Sequence, residues 1–105
     1  MKYLLTLFIL FFTNIVSAED VLLVNDSSAL KWEVRSTSGK VYFRNLNEID
    51  SSYLACCYNY YIDASTDEGK AVWSSFLSYH ISGKPLRLVF SDKSTAGPLT
   101  GLGAW

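Results

Sequence analysis

The chain has 105 residues, with 9 Lys+Arg against 10 Asp+Glu, one His and two Cys. A hydrophobic fraction of 50% and a charged fraction of 18% exclude a disordered or collagen-like chain, and the length fits one domain. A formal charge of −1 excludes a strongly basic, phosphate-coating surface, and two Cys are too few for a disulfide-dense mini-protein or an all-Cys zinc site.

Residues 1–18 read as an export signal. Lys2 supplies the positive start, Leu4 to Phe12 is apolar except for Thr6, and Val16-Ser17-Ala18 suits a leader peptidase. The apolar stretch is about a dozen residues, whereas a bilayer span needs roughly 20. Thr13 and Asn14 also interrupt it. The expectation is cleavage before Glu19, export to the periplasm or beyond, and no stable membrane insertion afterwards. Removing 18 of 105 residues leaves 87, with 8 Lys+Arg against 10 Asp+Glu and twelve aromatic residues. Residues 19–105 are expected to form a single domain. Its aromatic density suits a small core, because each ring buries a large area.

Val21-Leu22-Leu23-Val24 predicts a strand, closed by the turn formers Asn25-Asp26-Ser27-Ser28. Leu30 to Arg35 alternates, with Leu30, Trp32 and Val34 on one side and Lys31, Glu33 and Arg35 on the other. After Ser36-Thr37-Ser38-Gly39, Lys40 to Arg44 alternates again, with Val41 and Phe43 inward and Tyr42 and Arg44 outward. The two runs predict a hairpin. Asn45 to Ser52 reads as polar loop. Tyr53 to Ile62 predicts a strand whose even positions, Tyr58 and Tyr60 among them, face the core. Ser65-Thr66-Asp67-Glu68 fits a capping box opening a helix over roughly 66–82, which Gly83 and Pro85 end. Val72, Trp73, Phe76, Leu77 and His80 share one stripe of that helix, and Gly69 within it admits a close backbone. Leu86 to Phe90 predicts a strand, Ser91 to Pro98 a loop, and Leu99 to Trp105 a final edge strand.

Little in this pattern carries catalysis. His80 lies in the helix's apolar stripe, where it reads as a core residue with a satisfied nitrogen. There is no G-x-S-x-G motif, no D-x-D-x-D-G loop and no metal-ligand spacing. The expectation is a protein that is not an enzyme and needs no cofactor or metal. Cys56 and Cys57 are adjacent, and a disulfide ordinarily spans a wider Cα separation, so a bond between them is not expected. Cys56 reads as a buried hydrophobe with Cys57 a free thiol, or else Cys57 is half of an intermolecular disulfide in an oxidising compartment. Tyr42, Tyr53, Tyr61 and Trp105 are the aromatics expected to be exposed. Of these Tyr42, Tyr61 and Trp105 are the candidate ligand contacts, because exposed rings stack on sugars or anchor protein interfaces. The acidic balance argues against nucleic acid.

The run Cys57-Tyr58-Asn59-Tyr60-Tyr61-Ile62-Asp63, then Ser65-Thr66-Asp67-Glu68-Gly69-Lys70, Trp73-Ser74, Leu77 and Gly83-Lys84-Pro85-Leu86 resembles the binding (B) subunits of AB5-type toxins, notably the subtilase cytotoxin type. The likeness covers roughly residues 53–105. It implies a mainly β fold with one helix, an OB-like small barrel of five to six strands. It further implies a ring-shaped homo-oligomer and glycan recognition. In such relatives a Cys after the post-helix strand pairs with one before the helix, whereas this chain has Ser94 there. No sugar-binding residue of the toxins matches position by position. The sequence therefore predicts an exported, non-catalytic binding module for a glycan or a protein. The alternative is a structural or interaction protein that forms a homo-oligomer without a small ligand.

Overall fold

The computed structural model describes residues 19–105. The expected export signal at 1–18 lies outside them. The domain is mainly β with one main helix. Six strands, β1 (Asp20–Val24), β2 (Trp32–Arg35), β3 (Lys40–Phe43), β4 (Tyr60–Asp63), β5 (Leu86–Phe90) and β6 (Gly97–Gly103), form one sheet. Its order is β1-β5-β6-β4-β3-β2. Pairings are antiparallel except β4 with β6, which run parallel. β1 and β2 are the two ends of this order, so the sheet is open where a closed OB-like barrel was expected.

The β2–β3 hairpin forms as its alternation dictates, pairing Trp32 with Phe43 and Arg35 with Lys40. Val41 and Phe43 are buried, but Val34 is exposed where it was expected inward. Val34 lies opposite the buried Val41, but β2 ends the sheet order, so no further strand covers its other side. Residues 46–49, expected as loop, make a one-turn helix, α1 (Leu46–Ile49), that buries Leu46. The Asn45 side chain braces this corner. Its amide donates to the Ala29 carbonyl at 2.9 Å and its oxygen accepts from Lys31 N–H at 2.8 Å.

The main helix, α2, spans Asp67–Ser82. Thr66, not Ser65, caps it, its hydroxyl accepting from Gly69 N–H at 2.9 Å. Ser65 instead reaches two residues back, its hydroxyl donating to Asp63 at 2.5 Å. Acidic Asp67 and Glu68 complement the dipole of the first turn. Gly83 ends the helix in the left-handed region at φ 66°, which a side chain would strain. Gly69 is needed for a different reason, because a Cβ there would collide with the Asp63 carbonyl at the end of β4. The helix can thus start directly off that strand. Phe76 is fully buried and meets Phe43 edge-on at 5.2 Å, and Trp73 meets Trp32 at 4.8 Å. These contacts fix α2 against the inner face of the sheet.

Two strand expectations are corrected. Within residues 53–62 only Tyr60–Asp63 is strand, and 53–59 is bend and coil. Alternation therefore does not hold there. Tyr53 is buried at 3% exposure, and Tyr58 is exposed at 48%. Tyr53 packs on Tyr60 and Phe90 at 5.5 and 5.7 Å. The Tyr60 hydroxyl accepts from Leu54 N–H at 2.7 Å and donates to the Lys93 carbonyl, so one buried ring fastens two loops. β6 is not an edge strand. It starts at Gly97 and fills the centre between β5 and β4.

A short acidic motif recurs at the ends of elements. Asp26, Asp50, Asp63 and Asp92 each accept the backbone N–H of a Ser two residues on, at 2.9 to 3.1 Å. The Ser28, Ser52 and Ser65 hydroxyls, which donate to the same carboxylates, and then these backbone N–H groups hold Asp26, Asp50 and Asp63 below their ordinary pKa, and at Asp92 the Ser94 N–H does most of it.

Candidate functional site: the outer tyrosine face

The outer face of β2–β4 is built by alternation. On β3, Val41 and Phe43 point into the core, which leaves Lys40 and Tyr42 outside. Register places Glu33 and Tyr61 on either side of Tyr42, and Arg35 and Asp63 on either side of Lys40. Tyr58 joins from the loop before β4. Its ring meets Tyr42 edge-on at 5.3 Å, and Tyr42 lies 5.4 Å from Tyr61.

Cations and one carboxylate fix these rings. The Arg35 guanidinium lies 5.0 Å from the Tyr58 ring centre, and Lys40 Nζ lies 4.6 Å from that of Tyr61. Glu33 Oε2 accepts from Arg35 and from the Tyr58 hydroxyl, both at 3.1 Å. Its Oε1 sits 3.4 Å from Arg44 Nη1. Those hydrogen bonds, with the two arginines, hold the Glu33 carboxyl below its ordinary pKa. The face is therefore aromatic, cationic at its rim, and tied by a carboxylate at one side.

Beyond Arg44 the face runs into a groove of about 430 Å³, lined by Lys31, Trp32, Arg44, Asn47, Glu48 and Cys56. The Nε of Arg44 is buried without a hydrogen-bond partner. Cys56 and Cys57 are joined to each other in a disulfide across a cis peptide bond. This corrects the expectation of a free or intermolecularly paired Cys57, and Cys56 is exposed where a buried side chain was expected. That expectation rested on opposed side chains in a strand, and residues 56 and 57 are not in one.

Of the three candidate contacts, Tyr42 and Tyr61 come together. Trp105 does not join them. It is 54% exposed, and its indole N–H donates to the Val24 carbonyl at 3.4 Å, at the β1 end of the sheet order. Tyr58, Glu33, Arg35 and Lys40 are members that the sequence reading passed over. The wet sides of the two hairpin strands already grouped Glu33, Arg35 and Tyr42. Tyr58 was hidden by the strand expected over Tyr53 to Ile62, which turned it toward the core.

His80 is engaged elsewhere. Its Nδ1 lies 2.9 Å from the Ser27 carbonyl, which can only accept, so Nδ1 carries the proton. The ring stacks on Phe76 at 5.5 Å. Among the described residues, no group of three or more His, Cys, Asp and Glu is placed to hold a metal ion. Among them, too, no helix is long and apolar enough to cross a membrane.

Compared with known proteins, the chain matches no family model, no curated protein and no solved structure.

Proposed function

We propose that the chain is an exported, non-catalytic binding module that takes a saccharide on its outer tyrosine face, in the manner of toxin B subunits. The observation that carries this reading is the cluster of Tyr42, Tyr58 and Tyr61, held on the solvent side by Arg35, Lys40 and Glu33. A tyrosine presents an apolar ring with a polar tip, which suits a sugar's C–H face and its hydroxyls. The rings are braced by neighbours, so little side-chain freedom is lost on binding. The engagement of His80 by Ser27 and Phe76 supports a module without catalysis. The test is a broad glycan array probed with wild type and with Tyr61→Ala. Hits that fall at least about tenfold in the variant support the proposal. No hit, or hits unchanged in the variant, contradicts it.

A second reading is favoured by the open sheet. β1 ends the sheet order with Val21 and Leu23 exposed at 40% and 46%. An unpaired edge of this kind templates pairing with another chain. In this reading the protein is an interaction protein that assembles with its own copies. Light scattering decides it: an oligomer that Leu23→Lys dissociates supports it, and a monomer at all concentrations contradicts it.

A further inference from the structure

We propose that the Cys56–Cys57 disulfide is a thiol-exchange site, with Arg44 as the positioning residue that selects which sulfur leaves. Three observations meet here. The disulfide lies at a groove rather than in the core, and Cys56 is exposed while Cys57 is partly covered. Arg44 Nη2 stands 3.3 Å from Cys57 Sγ and 4.0 Å from Cys56 Sγ. The same guanidinium has a buried Nε without a partner, and it shares Glu33 through Nη1. Lys31 and Glu48 are the other charged groups lining the groove.

These positions dictate the direction of attack. Exchange requires a thiolate to approach one sulfur while the other departs with the electron pair. Cys56 Sγ is the open target. Cys57 is the better leaving group, because its developing negative charge is closer to the guanidinium. An external thiol gives its proton to solvent, and its thiolate bonds to Cys56. The Cys56–Cys57 bond breaks, and Cys57 holds the pair as a thiolate beside Arg44. A second external thiolate then attacks the external sulfur of that mixed disulfide, and Cys56 leaves and takes a proton. Overall, the protein disulfide gains two electrons and becomes two thiols, and two external thiols become one disulfide. The co-reactant class is a small thiol or a protein dithiol.

The purified protein, treated with reduced glutathione and then with iodoacetamide, tests this without reference to any ligand. Before glutathione no alkylation is expected, even in denaturant. Glutathione should first appear on Cys56, and both cysteines should be alkylated once reduction is complete. Arg44→Gln should slow the exchange roughly three- to tenfold and move the alkylation of Cys57 in the reduced protein to higher pH, with Arg44→Lys restoring most of both. Glu33→Gln frees Arg44 from its competing carboxylate and should speed the exchange, which keeps the test open if Arg44→Gln does not fold. Alkylation of the unreduced protein, glutathione on Cys57, or rates and pH profiles indifferent to residues 33 and 44 would overturn the proposal.

Discussion

Strands β3 and β4 carry tyrosines toward both of their faces, and the two faces use them differently. Inside, Tyr60 and the neighbouring Tyr53 are buried against Phe90. Outside, Tyr42, Tyr58 and Tyr61 stand against charged side chains. Burial raises the hydroxyl pKa of both inner tyrosines, pushing Tyr53 to about 12. The inner rings act through area removed from water and through what their hydroxyls reach. The outer rings are half-buried or exposed, and they form the surface proposed for a ligand. The same residue type is thus structural on one side of the sheet and a candidate for recognition on the other.

The largest effect expected is on the inner face. Phe76→Ala removes a fully buried ring from between Phe43 and His80 and should cost about 3–5 kcal/mol in urea unfolding. Tyr60→Phe should cost about 1–3 kcal/mol, because it leaves Leu54 N–H and the Lys93 carbonyl without their partner. Tyr53→Phe should be neutral or stabilising by up to about 1 kcal/mol, since the buried Tyr53 hydroxyl has no partner to lose. On the outer face, Tyr42→Ala or Tyr61→Ala should cost less than about 1 kcal/mol, the scale of a cross-strand pair. An outer substitution as costly as Phe76→Ala would remove the contrast.

Alkaline titration sharpens the same comparison. Unfolded, the Tyr53 hydroxyl ionises near 10.0, but folded only near 12. Between these values the unfolded state holds fewer protons, so stability should fall as pH rises. Tyr53→Phe should flatten that fall. The smallest effect is at low pH. The lowered carboxyls of Asp26, Asp50, Asp63 and Asp92 contribute stability above their ordinary pKa of 3.8. It should be lost as pH falls through the lower folded values. Unfolding curves at a series of pH values check both limbs.

The hairpin, the helix and its Gly83 end were legible in the sequence because local rules decide them. Alternation sets the faces of β3, and Gly69 and Gly83 mark a close approach and a left-handed turn. What failed depends on distant partners. Residues 53–59 are rich in strand formers, yet Tyr53 leaves the sheet plane to fill the space beside Tyr60 and Phe90. The glycines of β6 gave no sign that it runs between β4 and β5, since a central place is set by its neighbours. Half of the outer site was readable as the wet side of the hairpin. Tyr58 and the Cys56–Cys57 bond became visible only once that segment was known to be loop.

The most direct test of the outer face is amide chemical-shift mapping during titration with a saccharide that the array selects. The account predicts shifts concentrated at Glu33, Arg35, Lys40, Tyr42, Tyr58 and Tyr61, with Trp105 and the exposed side of α2 unmoved. Shifts centred on Trp105 or on α2, with the tyrosine face silent, would contradict it.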